Sequence, residues 1–220
     1  MCTSNYQTSH LIEYLPKRYS ANLEQEQNRV DVYSFKDGAC PLKIKNKLCE
    51  QISRIAIGAK SDWIILFIPA STAYKTTARY ASLAEYLQDK TGIKSTCRAI
   101  YNKFDVDSKH ISGVSNNPKE IFSFDTSMFR NKKVILIDDV TTSGRSFKRC
   151  ADELMSLGAF SVYGLFVAKT INPDWNCRKY SYGYSPDDYF EPDFDPEDYC
   201  EPDFCPEDYY EPDFCPEDYY

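Results

Sequence analysis

KKVILIDDVTTSGRSFKRCADELMSLGAFSVYGLFVAK, residues 132–169, decides the fold. VILI at 134–137 is wholly apolar, as a strand covered on both faces requires, and Asp138 and Asp139 stand at its carboxyl end. Thr141, Thr142, Ser143, Gly144, Arg145 and Ser146 then turn into a helix on which Phe147, Cys150, Ala151 and Leu154 recur at i, i+3, i+4 and i+7, and Gly158 stops it. SVYGLFVA at 161–168 reads as the next strand. Strand, crossover helix and strand at this spacing form a right-handed parallel unit. The fold class is therefore α/β, a parallel sheet flanked by helices, with ligands expected beyond the carboxyl ends of the strands.

Working outward, WIILFI at 63–68 is a second buried-strand run, ended by Pro69. Residues 76–89 return to helical spacing through Tyr80, Leu83, Ala84 and Leu87, with Gly92 as the stop. Pro41 opens another helical pattern carrying Leu42, Ile44, Leu48, Ile52 and Ile55. VDVYSF at 30–35 alternates and ends at the turn signal Lys36-Asp37-Gly38, which predicts a first strand. CRAIY at 97–101 and IFSF at 121–124 read as short strands. Between them residues 102–119 are polar and long for a connection, which marks a functional loop or a hairpin.

The net charge of -7 averages two unlike regions. Residues 185–220 hold fifteen Asp and Glu and no Lys or Arg, whereas residues 1–184 hold all 26 bases against the other 18 acids, a balance of +8. The acidic end holds seven of the twelve prolines, from Pro186 onward, and closes in a decapeptide array, EPDFDPEDYC at 191–200 followed by EPDFCPEDYY twice. Such composition forbids regular helix and favours a disordered tail. The expected layout is an N-terminal extension at 1–29, a domain at 30–184 and the tail at 185–220. Charge complementarity also predicts that the tail contacts the basic body as a weak phosphate mimic, in a salt-sensitive way. No apolar run is long enough for a membrane span, the start has no signal-peptide layout, and nine scattered cysteines without a CxxC pair argue for reduced thiols and against structural zinc. An intracellular, cytoplasmic protein that does not engage a membrane is expected, with a homodimer compatible and nucleic acid compatible with the basic body but unsupported by any motif.

A loop of small hydroxyl residues around one glycine at a helix start offers unpaired backbone N–H groups to a phosphate, and Thr142, Ser143 and Ser146 add hydroxyl donors. The adjacent carboxylates suit sugar hydroxyls or a divalent cation. Together they describe a sugar phosphate. The alternative, the magnesium strand of a P-loop NTPase, needs an earlier GxxxxGK[ST], which the chain lacks.

VILIDDVTTSGRS at 134–146 resembles the 5-phosphoribosyl-1-pyrophosphate (PRPP) signature of type I phosphoribosyltransferases, and over roughly residues 30–170 the order of elements is most similar to the competence-protein-F-like, amidophosphoribosyltransferase-like branch. The resemblance implies a transferase that moves the phosphoribosyl group of PRPP, with Mg2+, to a nitrogen acceptor of unspecified identity. By it, Asp138 and Asp139 hold the ribose hydroxyls and Thr141, Thr142, Ser143, Gly144, Arg145 and Ser146 cradle the 5-phosphate. It also implies a pyrophosphate loop at Ala70, Ser71 and Thr72 with Lys75 and Arg79 in support, and a catalytic loop at 102–119 with Lys103 or Lys109 reaching the leaving group. Substrate contacts are expected from residues 36–38 and from those after Ala168. The chain departs from that branch in having no zinc ribbon and only AYKTTARYAS after the pyrophosphate loop. A non-catalytic protein that senses PRPP or a nucleotide is the competing expectation.

Overall fold

The computed structural model describes residues 6–103 and 122–172. The chain divides into two units, Met1–Ser181 and Tyr182–Tyr220, and the second lies wholly outside the described residues, as do the expectations placed on the acidic tail. In chain order the elements are β1 (Gln7–Tyr14), α1 (Leu23–Lys36), α2 (Leu42–Ile55), a 3-10 turn (Lys60–Asp62), β2 (Trp63–Phe67), α3 (Ala73–Thr91), β3 (Ser95–Thr96), β4 (Ile100–Asn102), β5 (Phe122–Phe124), α4 (Thr126–Phe129), β6 (Lys133–Thr141), α5 (Arg145–Ser156) and β7 (Ser161–Thr170).

Five strands form a parallel sheet in the order β1-β7-β6-β2-β3, and β4 pairs with β5 as a separate antiparallel hairpin. Successive residues of a strand face opposite sides, so the apolar runs of β2 and β6 feed two cores. Ile65, Phe67, Ile135 and Ile137 pack with Val32, Phe35, Ile44, Leu48, Ile52, Tyr80, Leu83 and Leu87 from α1, α2 and α3. Ile64, Leu66, Val134 and Leu136 pack with Phe129, Phe147, Cys150 and Leu154 from α4 and α5 on the other side. The α/β class read from residues 132–169 is the observed architecture.

Three expectations are corrected. VDVYSF at 30–35 is the second half of helix α1, not a strand. Asn22 caps that helix by accepting from the Gln25 backbone N–H at 2.9 Å while the Asn22 N–H donates to the Gln25 side chain at 2.9 Å, and Arg29, Val32 and Phe35 then fall on the buried face. Val30, which suggested alternation, is exposed. Residues 1–29 are not an extension outside the fold, because β1 lies at the sheet edge, parallel to β7 from Gln7 opposite Tyr163 to Tyr14 opposite Thr170. CRAIY is not one strand: Ser95–Thr96 joins the main sheet and Ile100–Asn102 the hairpin. IFSF does form the other hairpin arm through Phe122–Phe124, while residues 104–121 lie outside the described residues.

Candidate phosphate and sugar site

β2 and β6 pair in parallel through Phe67 opposite Ile137, and the Ile68 N–H still donates to the Ile137 carbonyl at 3.0 Å. At Pro69 the chain then leaves the sheet. β6 continues, paired only with β7, through Val140 opposite Ala168 and Thr141 opposite Lys169. The acid pair therefore sits within β6 rather than beyond its end. The strand pairing brings the 69–72 turn and the 138–146 segment side by side at the carboxyl pole of the sheet.

The 69–72 turn is organised from within. Thr72 caps α3, its Oγ1 accepting from the Lys75 N–H at 3.1 Å. The buried Thr76 hydroxyl donates to the Thr72 carbonyl at 2.9 Å and accepts from the Ala70 N–H at 3.0 Å, while the Asn102 amide donates to the Ala70 carbonyl at 2.8 Å. Both backbone groups of Ala70 are thus engaged, and Ser71, Thr72 and the exposed Lys75 form the outward part of the turn. Thr76 and Asn102 were not singled out from the sequence. The signal for Thr76 was its position four residues after the Thr72 cap; Asn102 gave none beyond its place at the start of a polar loop. Lys103 follows Asn102 and is exposed, which sets it next to this turn, whereas Lys109 lies outside the described residues.

Arg79, expected at the pyrophosphate, turns inward. Its Nη1 lies 2.7 Å from Asp139 Oδ2 and its Nε donates to the Lys36 carbonyl at 3.0 Å, with Lys36 Nζ 3.9 Å from the same carboxylate oxygen. Asp139 Oδ1 accepts from the Val140 N–H at 2.6 Å, and Asp138 Oδ1 from the Asp139 N–H at 2.8 Å. Beneath them Tyr80 stacks on Phe67 at 4.7 Å between ring centroids. Burial, then the charges of Asp139 and Asp138, push its phenol well above the ordinary range. Lys36 thus joins the site through both its carbonyl and its ammonium, the part of the 36–38 expectation that the structure brings to the acids.

In the following loop Thr142, Ser143, Arg145 and Ser146 are exposed, and Thr142 Oγ1 lies 2.9 Å from Thr170 Oγ1, tying the loop to the end of β7. Gly144, at φ +74°, begins α5 with no side-chain cap, while Phe147 anchors the first turn edge-on against Phe166 at 5.4 Å and Tyr6 at 5.8 Å. Uncapped N–H groups beside hydroxyls suit an anion with several oxygens. A Cβ on Gly144 would meet only Thr141 Oγ1, at 3.8 Å, so substitution there strains the backbone rather than the packing. Gly144→Val is expected to cost about 1–2 kcal/mol in urea unfolding and to abolish phosphate-ligand binding, whereas Gly144→Asn, which tolerates this region, should retain most of both. Equal ligand affinity in wild type and the valine variant would contradict the cradle.

Among the described residues no group of three or more His, Cys, Asp or Glu is placed to hold a metal ion, and no helix is long and apolar enough to cross a membrane. Among the described thiols, burial pushes Cys40 up to about 12 and raises Cys49, Cys97 and Cys150, away from thiolate chemistry.

No protein-family model and no curated protein matches the chain. Solved structures do. The allosteric regulatory enzyme of purine biosynthesis is 16% identical over 56% of this chain, with a TM-score of 0.39, and the chain spans only 25% of it. A purine phosphoribosyltransferase from Pyrococcus horikoshii is 17% identical, covering 60% of this chain and 86% of that one at a TM-score of 0.37. A hypoxanthine phosphoribosyltransferase from Staphylococcus aureus is 14% identical, covering 64% and 75% at 0.40.

Proposed function

We propose that the protein binds PRPP with magnesium and transfers its 5-phosphoribosyl group to a nitrogen nucleophile, releasing pyrophosphate. One observation carries this reading: the pairing of β2 with β6 sets the acid-and-hydroxyl segment 138–146 beside the turn 69–72 at one pole of the sheet. A sugar phosphate with a diphosphate on C1 needs donors for a phosphate at one end, carboxylate acceptors for ribose hydroxyls in the middle, and donors for a second anion at the other. Thr142, Ser143, Ser146 and the α5 N–H groups serve the first, and Asp138 the second. Ser71, Thr72 and Lys75 serve the third, with Lys103 close by.

In the reaction the C1–O bond breaks with both electrons leaving on the diphosphate, positive charge builds on the ribose, and the nitrogen lone pair forms the new C1–N bond before that nitrogen loses its proton. Magnesium bound with the diphosphate would supply charge neutralisation on the leaving group. The chain's own task is to fix both ends of the sugar so that C1 faces the acceptor, and each preorganised donor on a developing charge contributes about 3 kcal/mol. The acceptor is a base or ammonia.

PRPP with magnesium at 100 times its dissociation constant is expected to add about 2.7 kcal/mol of stability, which for a domain of this size raises the melting temperature by roughly 5–10 °C. A melting curve unmoved by millimolar PRPP would refute the reading. One observation favours a second reading, a PRPP-sensing regulator without turnover: the 69–72 turn is served by Lys75 while Arg79 faces inward. A melting shift with no pyrophosphate released across a panel of nucleobases and ammonia would select it.

A further inference from the structure

We propose, resting on the phosphoribosyl reading of the site, that Asn102 is a positioning residue: by holding the Ala70 carbonyl it aims the Ser71 N–H at the leaving diphosphate, while Thr76 holds the other side of Ala70. A trans peptide is planar, and its C=O and N–H point in opposite directions. The peptide bonds of the described residues are trans. The Asn102 amide donates to the Ala70 carbonyl at 2.8 Å, so the Ser71 N–H of that same peptide unit is turned away from Asn102. On the preceding unit the Ala70 N–H donates to Thr76 Oγ1 at 3.0 Å. With both flanking planes held, the two soft dihedrals of Ala70 are set. The Thr76 hydroxyl and N–H also donate to the Thr72 carbonyl, at 2.9 and 3.0 Å. Between these fixed units, the N–H groups of Ser71 and Thr72 have no acceptor among the described residues, at the positive end of the 19-residue α3.

The hairpin supplies a fixed post for this contact. A two-stranded hairpin is marginal by itself, but this one is rooted in the core directly beneath the turn. Ala99 and Ile100, 0% and 1% exposed, belong to the cluster that holds Leu66 and Ile68, the residues leading into Pro69. Asn102 pairs with Phe122, which packs against the same cluster, and the Asp125 N–H closes the base on the Ala99 carbonyl at 2.8 Å. The separate sheet thus has a task at the site: it presents one amide to the turn. A neutral amide fixes the peptide without itself competing for the anion, whose charge is left to Lys75 and the N–H groups.

The test uses the full chain and three variants, Asn102→Ala, Thr76→Val and Thr76→Ser. Thermal melts without ligand come first. Calorimetric titrations follow with three probes: PRPP with magnesium chloride, inorganic pyrophosphate with magnesium chloride, and ribose 5-phosphate. Asn102 is only partly buried, so Asn102→Ala should melt within about 3 °C of the wild type. It should bind PRPP and pyrophosphate about 3- to 10-fold more weakly, the equivalent of one neutral hydrogen bond. Ribose 5-phosphate, which needs only the 138–146 segment, should bind it as it binds the wild type. Thr76→Val keeps the shape and removes the hydroxyl, so it should show the same selective loss together with a lower melting temperature, because the buried Ala70 N–H loses its acceptor. Thr76→Ser restores the hydroxyl and should return both. If Thr76→Val does not fold, Asn102→Ala decides the proposal by itself.

Equal losses for all three probes in Asn102→Ala would mark a general loosening of the fold and overturn the positioning role. Wild-type affinity of Asn102→Ala for both pyrophosphate and PRPP would overturn it as well, leaving the phosphoribosyl reading in place. Failure of the wild type to bind either PRPP or pyrophosphate would instead overturn that reading, and the role of Asn102 with it.

Discussion

Replacing Arg29 with leucine is expected to lower the unfolding free energy by about 3 kcal/mol, because three backbone carbonyls lose a charged donor at once, the Pro16 carbonyl keeping a second one, the Tyr19 N–H at 3.1 Å. Arg29 lies on α1 at 6% exposure. Its Nε donates to the Leu15 carbonyl at 2.7 Å, its Nη2 to those of Pro16 and Tyr19, each at 2.7 Å, and its Nη1 to Glu26 at 2.8 Å. A single planar fork thus closes the turn between β1 and α1. Leucine fills the space but satisfies none of these oxygens, and the figure stays below the sum of three fully buried losses because water reaches Pro16 and Tyr19. Arg29→Lys, with one point charge on a flexible stem, should recover only a part. Urea unfolding of the three proteins measures it, and a loss under about 1 kcal/mol in the leucine variant would mean that the turn holds itself.

Gly38→Ala is expected to be costlier still than its size suggests, at about 3 kcal/mol. Gly38 has φ +86°, and an added Cβ would lie 2.4 Å from the Ala78 carbonyl oxygen and 2.9 Å from its carbon. The obstacle is helix backbone, which cannot rotate aside. Gly144→Ala provides the comparison, having a similar positive φ but open space, and should cost only about 1 kcal/mol. Because the Lys36 carbonyl and Arg79 lie next to the Gly38–Ala78 contact, parting α1 from α3 should also loosen the Arg79–Asp139 pair. PRPP affinity should therefore fall more in Gly38→Ala than the stability loss alone explains. Equal unfolding free energies for the two alanine variants would count against the close contact.

The parts of the fold that the sequence displays are those whose pattern is set by burial on both sides. VILI and WIILFI read as strands because a central parallel strand has no polar face to confuse the period. The helix from Arg145 reads correctly because Phe147, Cys150, Ala151 and Leu154 keep one stripe. The edge is less legible: in β1 only Ile12 is buried, so QTSHLIEY reads as part of a polar N-terminal extension. In α1 the apparent alternation of VDVYSF competed with a capping box eight residues upstream, and the cap was the better guide. At the site, residue types indicated a sugar phosphate, but direction was hidden. Nothing local in AYKTTARYAS tells that Arg79 faces a carboxylate sixty positions later, since that contact exists only once α3 lies over β6.

The pairing of β1 with β7 sets a schedule for biosynthesis. Gln7–Tyr14 is made well before Ser161–Thr170, its only strand partner among the described residues. At ribosomal speeds of about 5–20 residues per second, β1 waits on the order of 10 s with its backbone N–H and C=O groups open to any passing strand. Its sequence suits that wait. Gln7, Ser9, His10 and Glu13 keep most of the waiting strand polar, so the same composition that disguised β1 as an extension guards the nascent chain against premature association until β7 arrives.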